Sequence, residues 1–372
     1  MNLKLNFYYP SIERGGLEKN LFALINSLAK KKYKINFVTY EDNTYRKEIR
    51  KIFYFHKSIK VIEAKSFIKF NNRYLKYFFC FIKLLTLSLK EKSTIVSFQG
   101  NIVPILVAKL TGNKIIIRCN TAPSKYINKT YKKIFFKFFY SLSDQIVVTS
   151  NDFKKEIKRY FNLSSIVHRQ TLDIKNIKKK SKVKINFDFF NKFKGLKIVN
   201  VGRLTFQKDQ TTLLKAFTKL IKVKEARLLL IGGGEDENKL TDIIYREGLK
   251  NYVKLIPFDS NPFKYIALSD VKILSSRFEG NPNILLEVAS LKKLIISSNC
   301  KVGPSEILQK GKGGILFKVG NYNQLFSILK KLKLNDLSNK KKIEQSYNFV
   351  KKNFKKDIGE TFIKNLGLIK WE

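Results

Sequence analysis

Short apolar runs separated by stretches of helical periodicity recur along the whole chain, and this alternation limits the fold more than any other feature. Leu3, Leu5 and Phe7 alternate with Lys4 and Asn6, and residues 35–39, 60–62, 94–98, 114–118 and 145–149 follow as further strand candidates, the last of them closing the first half. Residues 197–202 begin a second series that continues at 227–231, 253–256, 271–274, 294–297 and 314–317. Between them apolar residues fall at helical spacing, as Leu21, Leu24, Ile25 and Leu28 do. Strand and helix in alternation predict parallel sheets covered by helices, an α/β fold. A chain of 372 residues is too long for one core, so two such domains are expected, with ligand in the cleft between them. The lysine-crowded stretch 168–195 reads as a linker between domains at 1–167 and 196–349, and a last helix is expected within 350–372.

One loop carries the densest functional signal. The run Ser275-Ser276-Arg277-Phe278-Glu279-Gly280-Asn281-Pro282-Asn283-Ile284-Leu285-Leu286-Glu287 follows the apolar residues 271–274 and opens a helical pattern, with Pro282 in the first turn that tolerates it. Glu279 falls in the loop and Glu287 about a turn and a half into the helix, so both carboxylates can face the helix mouth. Free N–H groups at a helix start favour phosphate, and carboxylates accept hydrogen bonds from ribose and sugar hydroxyls. That combination suits a nucleotide sugar. The alternatives are a surface loop with an incidental pair of glutamates, or a Glu279 that only caps the helix. Arg203 and Lys208 follow residues 197–202 at once, which places two cations where a diphosphate would be neutralised. Gly15-Gly16 after the first strand would let a ligand approach the backbone, although paired glycines also simply make turns. Gly232-Gly233-Gly234 repeats that arrangement without the spacing of a dinucleotide fingerprint.

Lys and Arg number 74 against 29 Asp and Glu, a formal charge of +45. Such a field draws a protein to anionic surfaces, membrane and nucleic acid alike, unless the lysines reflect only a coding bias shared with the many Asn, Ile and Phe. The aromatic and basic residues do not gather into a nucleic-acid motif, so no nucleic-acid partner is expected. In residues 131–142 four phenylalanines flank Lys137, and Lys129, Lys133 and Lys137 align as one stripe. An interfacial helix on an anionic membrane has this pattern, and so does a core helix whose lysines are its solvated face. Residues 78–89 are the most apolar stretch; they fall short of the roughly 20 residues a bilayer needs and read as a buried helix. Cys80, Cys119 and Cys300 show no metal or redox spacing, and the first residues alternate unlike a signal peptide. A cytoplasmic protein, peripheral to the inner face of the cell membrane, is expected.

The order and spacing of Gly202-Arg203-Leu204 with Lys208-Asp209, of Phe278-Glu279-Gly280 and Pro282 before Glu287, of Gly303-Pro304 with Glu306-Ile307, and of Gly313-Gly314 resemble the retaining nucleotide-sugar glycosyltransferases of family 4. Gly15-Gly16, and Ser143-Asp144-Gln145-Ile146-Val147 leading into Ser150, extend the resemblance to the first half. It implies a GT-B architecture, two Rossmann-like domains facing each other across a cleft, with the last helix crossing back to the first, acceptor-side domain. It implies Arg203 and Lys208 on the donor diphosphate, Glu287 on the ribose and Glu279 on the transferred sugar, these first two and Glu279 being the catalytic groups. Gly280, Asn281, Pro282 and Asn283 would line the donor, and Gly15 and Gly16 would approach its phosphate from the other domain. No metal or cofactor is implied, because two cations and a helix N-terminus stabilise the leaving diphosphate. Many relatives carry a histidine near the sugar; here His56 and His168 sit at no matching strand end, and Arg118 or Asn120 is expected in that neighbourhood.

The activity implied is transfer from a nucleotide diphospho-sugar, uridine by default, to a glycan or lipid-linked glycan in bacterial surface polysaccharide or lipopolysaccharide synthesis. No nucleophile stands out, so departure of the diphosphate with attack on the same face is expected rather than a covalent enzyme intermediate. A glycan phosphorylase or sucrose-type synthase would share the second half, and a nucleotide-sugar epimerase of similar architecture would need no acceptor. A basic nucleic-acid binder would show steep salt dependence and leave nucleotide sugars untouched.

Overall fold

The computed structural model describes residues 3–12, 16–40, 55–64, 72–169, 172–354 and 358–366. The chain divides into two compact units, residues 1–171 with 356–372, and residues 172–355. In the first unit β1 (Lys4–Tyr8), β2 (Lys34–Thr39), β3 (Ile59–Glu63), β4 (Thr94–Ser97), β5 (Lys114–Arg118), β6 (Gln145–Val148) and β7 (Ile166–Val167) form one sheet in the order β3-β2-β1-β4-β5-β6-β7. Every neighbouring pair in it is parallel. In the second unit β8 (Leu196–Val201), β9 (Ala226–Ile231), β10 (Val253–Ile256), β11 (Val271–Leu274), β12 (Leu294–Ser298) and β13 (Ile315–Phe317) follow the order β10-β9-β8-β11-β12-β13, again all parallel. Strand order reverses between β1 and β4 and between β8 and β11, the switch points where open α/β sheets bind ligands outside their carboxyl ends.

Successive residues of each strand feed opposite cores. In the second unit Ile198, Leu228, Leu230, Ile273 and Ile296 pack with Leu213 and Phe217 of the helix Gln210–Leu220. Val199, Leu229, Ile231, Leu274 and Ile295 pack on the other face with Leu285 and Leu286 of the helix Asn283–Ser290. In the first unit Leu5, Phe7, Ile35 and Phe37 meet Leu21, Leu24, Ile25 and Leu28 of the helix Gly16–Lys30. Ile358, Phe362 and Ile363 of the helix Ile358–Asn365 complete that same core.

Four readings of the sequence change here. The first sheet has one strand more than expected, because β7 contributes only two residues, too few for an alternation to register. Of the stretch read as a linker, residues 172–195 belong to the second unit: the helix Ile174–Ser181 lies within them, and Leu172, Ile177 and Phe190 are buried in that unit's core. Lysines on the solvated side of that helix masked its sparse apolar positions. The helix Arg73–Lys90 is half exposed rather than buried, with Cys80 and Leu84 inside and Tyr74, Phe78, Ile82 and Leu89 in solvent. The helix Thr130–Ser141 is not a core helix either. Tyr131, Ile134, Phe135 and Phe138 are exposed and Tyr140 alone is buried, because only one side of a surface helix can reach the sheet. No helix among the described residues is long and apolar enough to cross a membrane.

Candidate functional site

Two loops leave the carboxyl ends of β8 and β11 at the second switch point and are laced together. The Arg277 amide donates to Gln207 O at 2.8 Å, Gln207 Nε2 to Phe278 O at 3.0 Å and Ser275 Oγ to Lys208 O at 2.8 Å. The lacing sets the side chains that follow. Lys208 Nζ stands 2.6 Å from Glu279 Oε1, and Ser276 Oγ donates to the same oxygen at 2.6 Å. Glu279 is 8% exposed, so the pair is largely shielded from water and both partners are held in place. Glu279 therefore does not cap the helix Asn283–Ser290, whose N-cap position is Pro282 and carries no side-chain capping bond.

Asp209 holds the β8 loop from beneath. Its carboxylate accepts from the Thr212 amide at 3.3 Å and Thr212 Oγ1 at 2.8 Å and pairs with Arg277 Nη2 at 3.3 Å. Arg203 is exposed, with Nη2 3.4 Å from Gln207 Oε1, and its own carbonyl accepts from Gln210 Nε2 at 2.9 Å. That thinly held guanidinium sits at the rim with its fork available to an oxyanion. The glycine run behind it has a packing task. Gly232 has φ +152°, and a Cβ there would lie 2.0 Å from Gly202 O; Gly234 has φ +157°, and its Cβ would lie 2.3 Å from Leu204 O. The Arg203 loop rests on this bare backbone, so the triplet serves the loop's position rather than a phosphate of its own.

Glu287 is buried on the helix Asn283–Ser290, Pro282 is buried, and Gly280 and Asn283 are half-buried before and at its start. Asn281 Nδ2 is buried with no hydrogen-bond partner. Lys272 of β11 attracts no notice in an apolar run, yet it is 0% exposed and its Nζ donates to Ile273 O at 2.9 Å and Val201 O at 3.5 Å. Burial holds its basicity well below the usual lysine range; Lys208 pushes the same way and Glu279 opposes. The signal that could have found it is a lysine inside a strand buried on both faces.

The remaining sequence candidates belong to the first unit. Arg118 ends β5 at 2% exposure, with Nε 3.3 Å from Asn120 Oδ1 and the guanidinium 5.0 Å from the Phe98 ring centroid. Its Nη1 and Nη2 are buried without partners, and burial lowers it to about 10. Asn120 Nδ2 donates to Phe98 O at 2.7 Å. His168 is buried edge-on to Phe362 and lowered to about 3 by burial and by Arg118, a neutral ring of the core. Gly16 is the first residue of the helix Gly16–Lys30, and Gly15 lies outside the described residues. Cys80, Cys119 and Cys300 are buried.

Residues 182–349 match the family model "Glycosyl transferases group 1" and residues 14–169 the model "Glycosyltransferase Family 4". An uncharacterized glycosyltransferase of Methanocaldococcus jannaschii is 34% identical over 223 residues, 56% of this chain and 55% of that protein. The N-acetylgalactosamine-N,N'-diacetylbacillosaminyl-diphospho-undecaprenol 4-alpha-N-acetylgalactosaminyltransferase of Campylobacter jejuni is 29% identical over 236 residues, 60% of this chain and 62% of that protein. The chain thus spans somewhat over half the length of these curated relatives. Among solved structures, Anabaena HepE in complex with UDP and glucose superposes with a TM-score of 0.79 at 15% identity, covering 99% of this chain and 100% of that one. TarM superposes with a TM-score of 0.79 at 13% identity, covering 98% and 99%.

Proposed function

We propose that this chain, in which a family 4 domain and a group 1 domain build the two parallel-sheet units of a GT-B fold, transfers a sugar from a nucleotide diphospho-sugar to an acceptor hydroxyl with retention of configuration. The observation that carries the reading is the shielded Lys208–Glu279 pair, 2.6 Å apart at the carboxyl end of the switch-point strands, with Arg203 at its rim. A diphosphate would take Lys208 and Arg203, and the start of the helix Asn283–Ser290 adds N–H groups of matching polarity. Glu279, steadied by Ser276, would accept from a hydroxyl of the transferred sugar, and Glu287 from the ribose. Gly280, Pro282 and Asn283 shape that mouth, and the unpartnered Asn281 amide offers one more donor.

Chemistry follows from where charge develops. As the bond from the anomeric carbon to the diphosphate breaks, its electron pair leaves on the phosphate oxygen, where Lys208 and Arg203 stabilise it. The acceptor oxygen bonds to the same face of the sugar, and its proton passes to the departing phosphate oxygen. No metal or cofactor takes part. In the first unit Gly15 and Gly16 remain the candidates for the donor phosphate, and Arg118 and Asn120 those for the acceptor or the transferred sugar.

HepE is recorded with UDP and glucose, which favours a uridine donor. The Campylobacter relative is named for a diphospho-undecaprenol acceptor, which favours a glycan on a lipid carrier. The first unit has a face suited to such a carrier: the neighbouring helices Arg73–Lys90, Ile102–Thr111 and Thr130–Ser141 expose Phe78, Ile82, Leu106, Leu110, Ile134 and Phe138. Lys129, Lys133 and Lys137 are exposed among them, so an anionic membrane surface, at the cytoplasmic face of the cell membrane, fits as partner. The test is a panel of nucleotide sugars incubated with a lipid-linked glycan, followed by release of the nucleotide diphosphate and NMR of the new linkage. An α-linked product from an α-linked donor is expected. Inversion, or no release from any donor, would overturn the reading.

A further inference from the structure

Lys272 occupies a fork in the second sheet. β11 and β8 pair at Val271↔Ile198 and Lys272↔Val199, and then splay at the switch point. Carbonyls left in the fork need donors. Asn200 Nδ2 supplies one to Ile273 O at 2.9 Å, and Lys272 Nζ reaches Ile273 O at 2.9 Å and Val201 O at 3.5 Å. Among the described residues these two carbonyls are its only hydrogen-bond partners. A neutral amine has two N–H groups and finds two acceptors there, whereas the third N–H of an ammonium would point at nothing. Two charged groups face it, Lys208 from the β8 loop and Glu279 from the β11 loop, and these close on each other at 2.6 Å. On the side of the sheet that Lys272 shares with Leu274 the neighbouring core side chains, Val199, Leu285 and Ile295, are apolar.

Resting on the donor reading above, we propose that Lys272 is a further cation of the donor-phosphate site, neutral while the site is empty and protonated from solvent when the diphosphate draws Lys208 away from Glu279. The exchange balances charge. Lys208 then answers the phosphate, and the carboxylate it leaves, buried and otherwise stranded, is answered by the new ammonium behind it. Burial, which keeps Lys272 well below the usual lysine range in the empty site, is the same condition that makes a nearby anion so effective in returning the proton.

Calorimetric titration of UDP into the whole protein, in two buffers of unlike ionisation enthalpy between pH 7.5 and 9.5, reads this directly, because the terminal phosphate, with a second pKa of about 6, is already ionised there. The wild type should take up a proton fraction that approaches about one per UDP at the alkaline end, with affinity falling by up to about tenfold per pH unit. Lys272→Met and Lys272→Gln should bind more weakly, without uptake and with a flat profile. UDP binding by the wild type without uptake overturns this proposal and leaves the donor reading standing; a wild type that binds no UDP overturns both. A ligand-free measurement is independent of that outcome. With its folded pKa lowered, Lys272 binds fewer protons folded than unfolded, so wild-type stability should rise with pH up to the unfolded lysine value of about 10.4. Lys272→Met should melt higher at neutral pH and lack that slope, and a variant that keeps the wild-type slope would show that Lys272 only plugs the fork.

Discussion

The two units wind their sheets in the same order and treat charge at the carboxyl ends in opposite ways. In the second unit Lys208 meets Glu279 and Arg277 meets Asp209, two cations matched by acids, while Arg203 stays exposed at the rim. In the first, Arg118 and His168 lie buried with Nη1, Nη2 and both ring nitrogens unpartnered, and burial lowers the proton affinity of each. Their outer faces differ too. The helix Gln210–Leu220 turns Leu213, Leu214 and Phe217 inward, whereas the helix Thr130–Ser141 turns Ile134, Phe135 and Phe138 outward. A shared topology therefore says where a ligand can enter, while loop and face residues decide where charge is paired and where an apolar surface is presented.

The comparison breaks most visibly at Lys208. Lys208→Ala removes a stabilising cation and should cut turnover by about 100- to 1000-fold. It also takes the charged partner from a buried carboxylate that keeps the Ser276 hydroxyl, so stability should fall, by less than the about 3–5 kcal/mol of a buried charge left with no partner at all. Hydrogen exchange should rise across residues 196–331 and stay unchanged in the first sheet. Normal turnover by this variant would remove the distinction between the units.

Acid should act on the first unit through His168. Its folded value, about 3, lies below the ordinary 6.5, so the unfolded chain binds more protons between those pH values and stability falls as pH drops through that window. By pH 4 the loss is about 3 kcal/mol. His168→Leu, which keeps an apolar contact with Phe362, should flatten this part of the acid-unfolding curve. An unchanged curve would mean that the ring is not held neutral.

Within the second unit the roles sharpen by kind of defect. Arg203→Ala should weaken UDP by about tenfold, roughly 1.4 kcal/mol, and by more than Lys208→Ala does, because a guanidinium can grip two oxygens. Glu287→Gln should weaken UDP and UDP-sugar alike, whereas Glu279→Gln should leave UDP affinity nearly intact and lower turnover. Equal affinity in wild type and Arg203→Ala would take Arg203 out of the site. The smallest effect concerns the outer face. Changing Lys129, Lys133 and Lys137 together to Glu should reduce flotation with anionic vesicles, each lysine being worth about 1 kcal/mol near such a surface, and more than the same change at three distant lysines. Equal recovery with neutral vesicles would remove the electrostatic component.

The spacing of apolar residues by itself determined the parallel sheets, since a run such as 228–231 buried on both faces has no other economical packing, and the order of motif residues put Arg203, Lys208, Glu279 and Glu287 at one set of strand and helix ends. Those are local relations, written in periods and offsets along the chain. Only the tertiary structure decided that Lys208 closes on Glu279, that Gly232 must be bare because Gly202 O lies against it, that Leu172, Ile177 and Phe190 reach a core, and that Phe135 and Phe138 of the helix Thr130–Ser141 face outward. It alone placed Lys272 in the fork between β8 and β11. Each of these depends on what lies opposite a residue across tens of positions of sequence, and burial and pairing are properties of that opposing surface rather than of the residue itself.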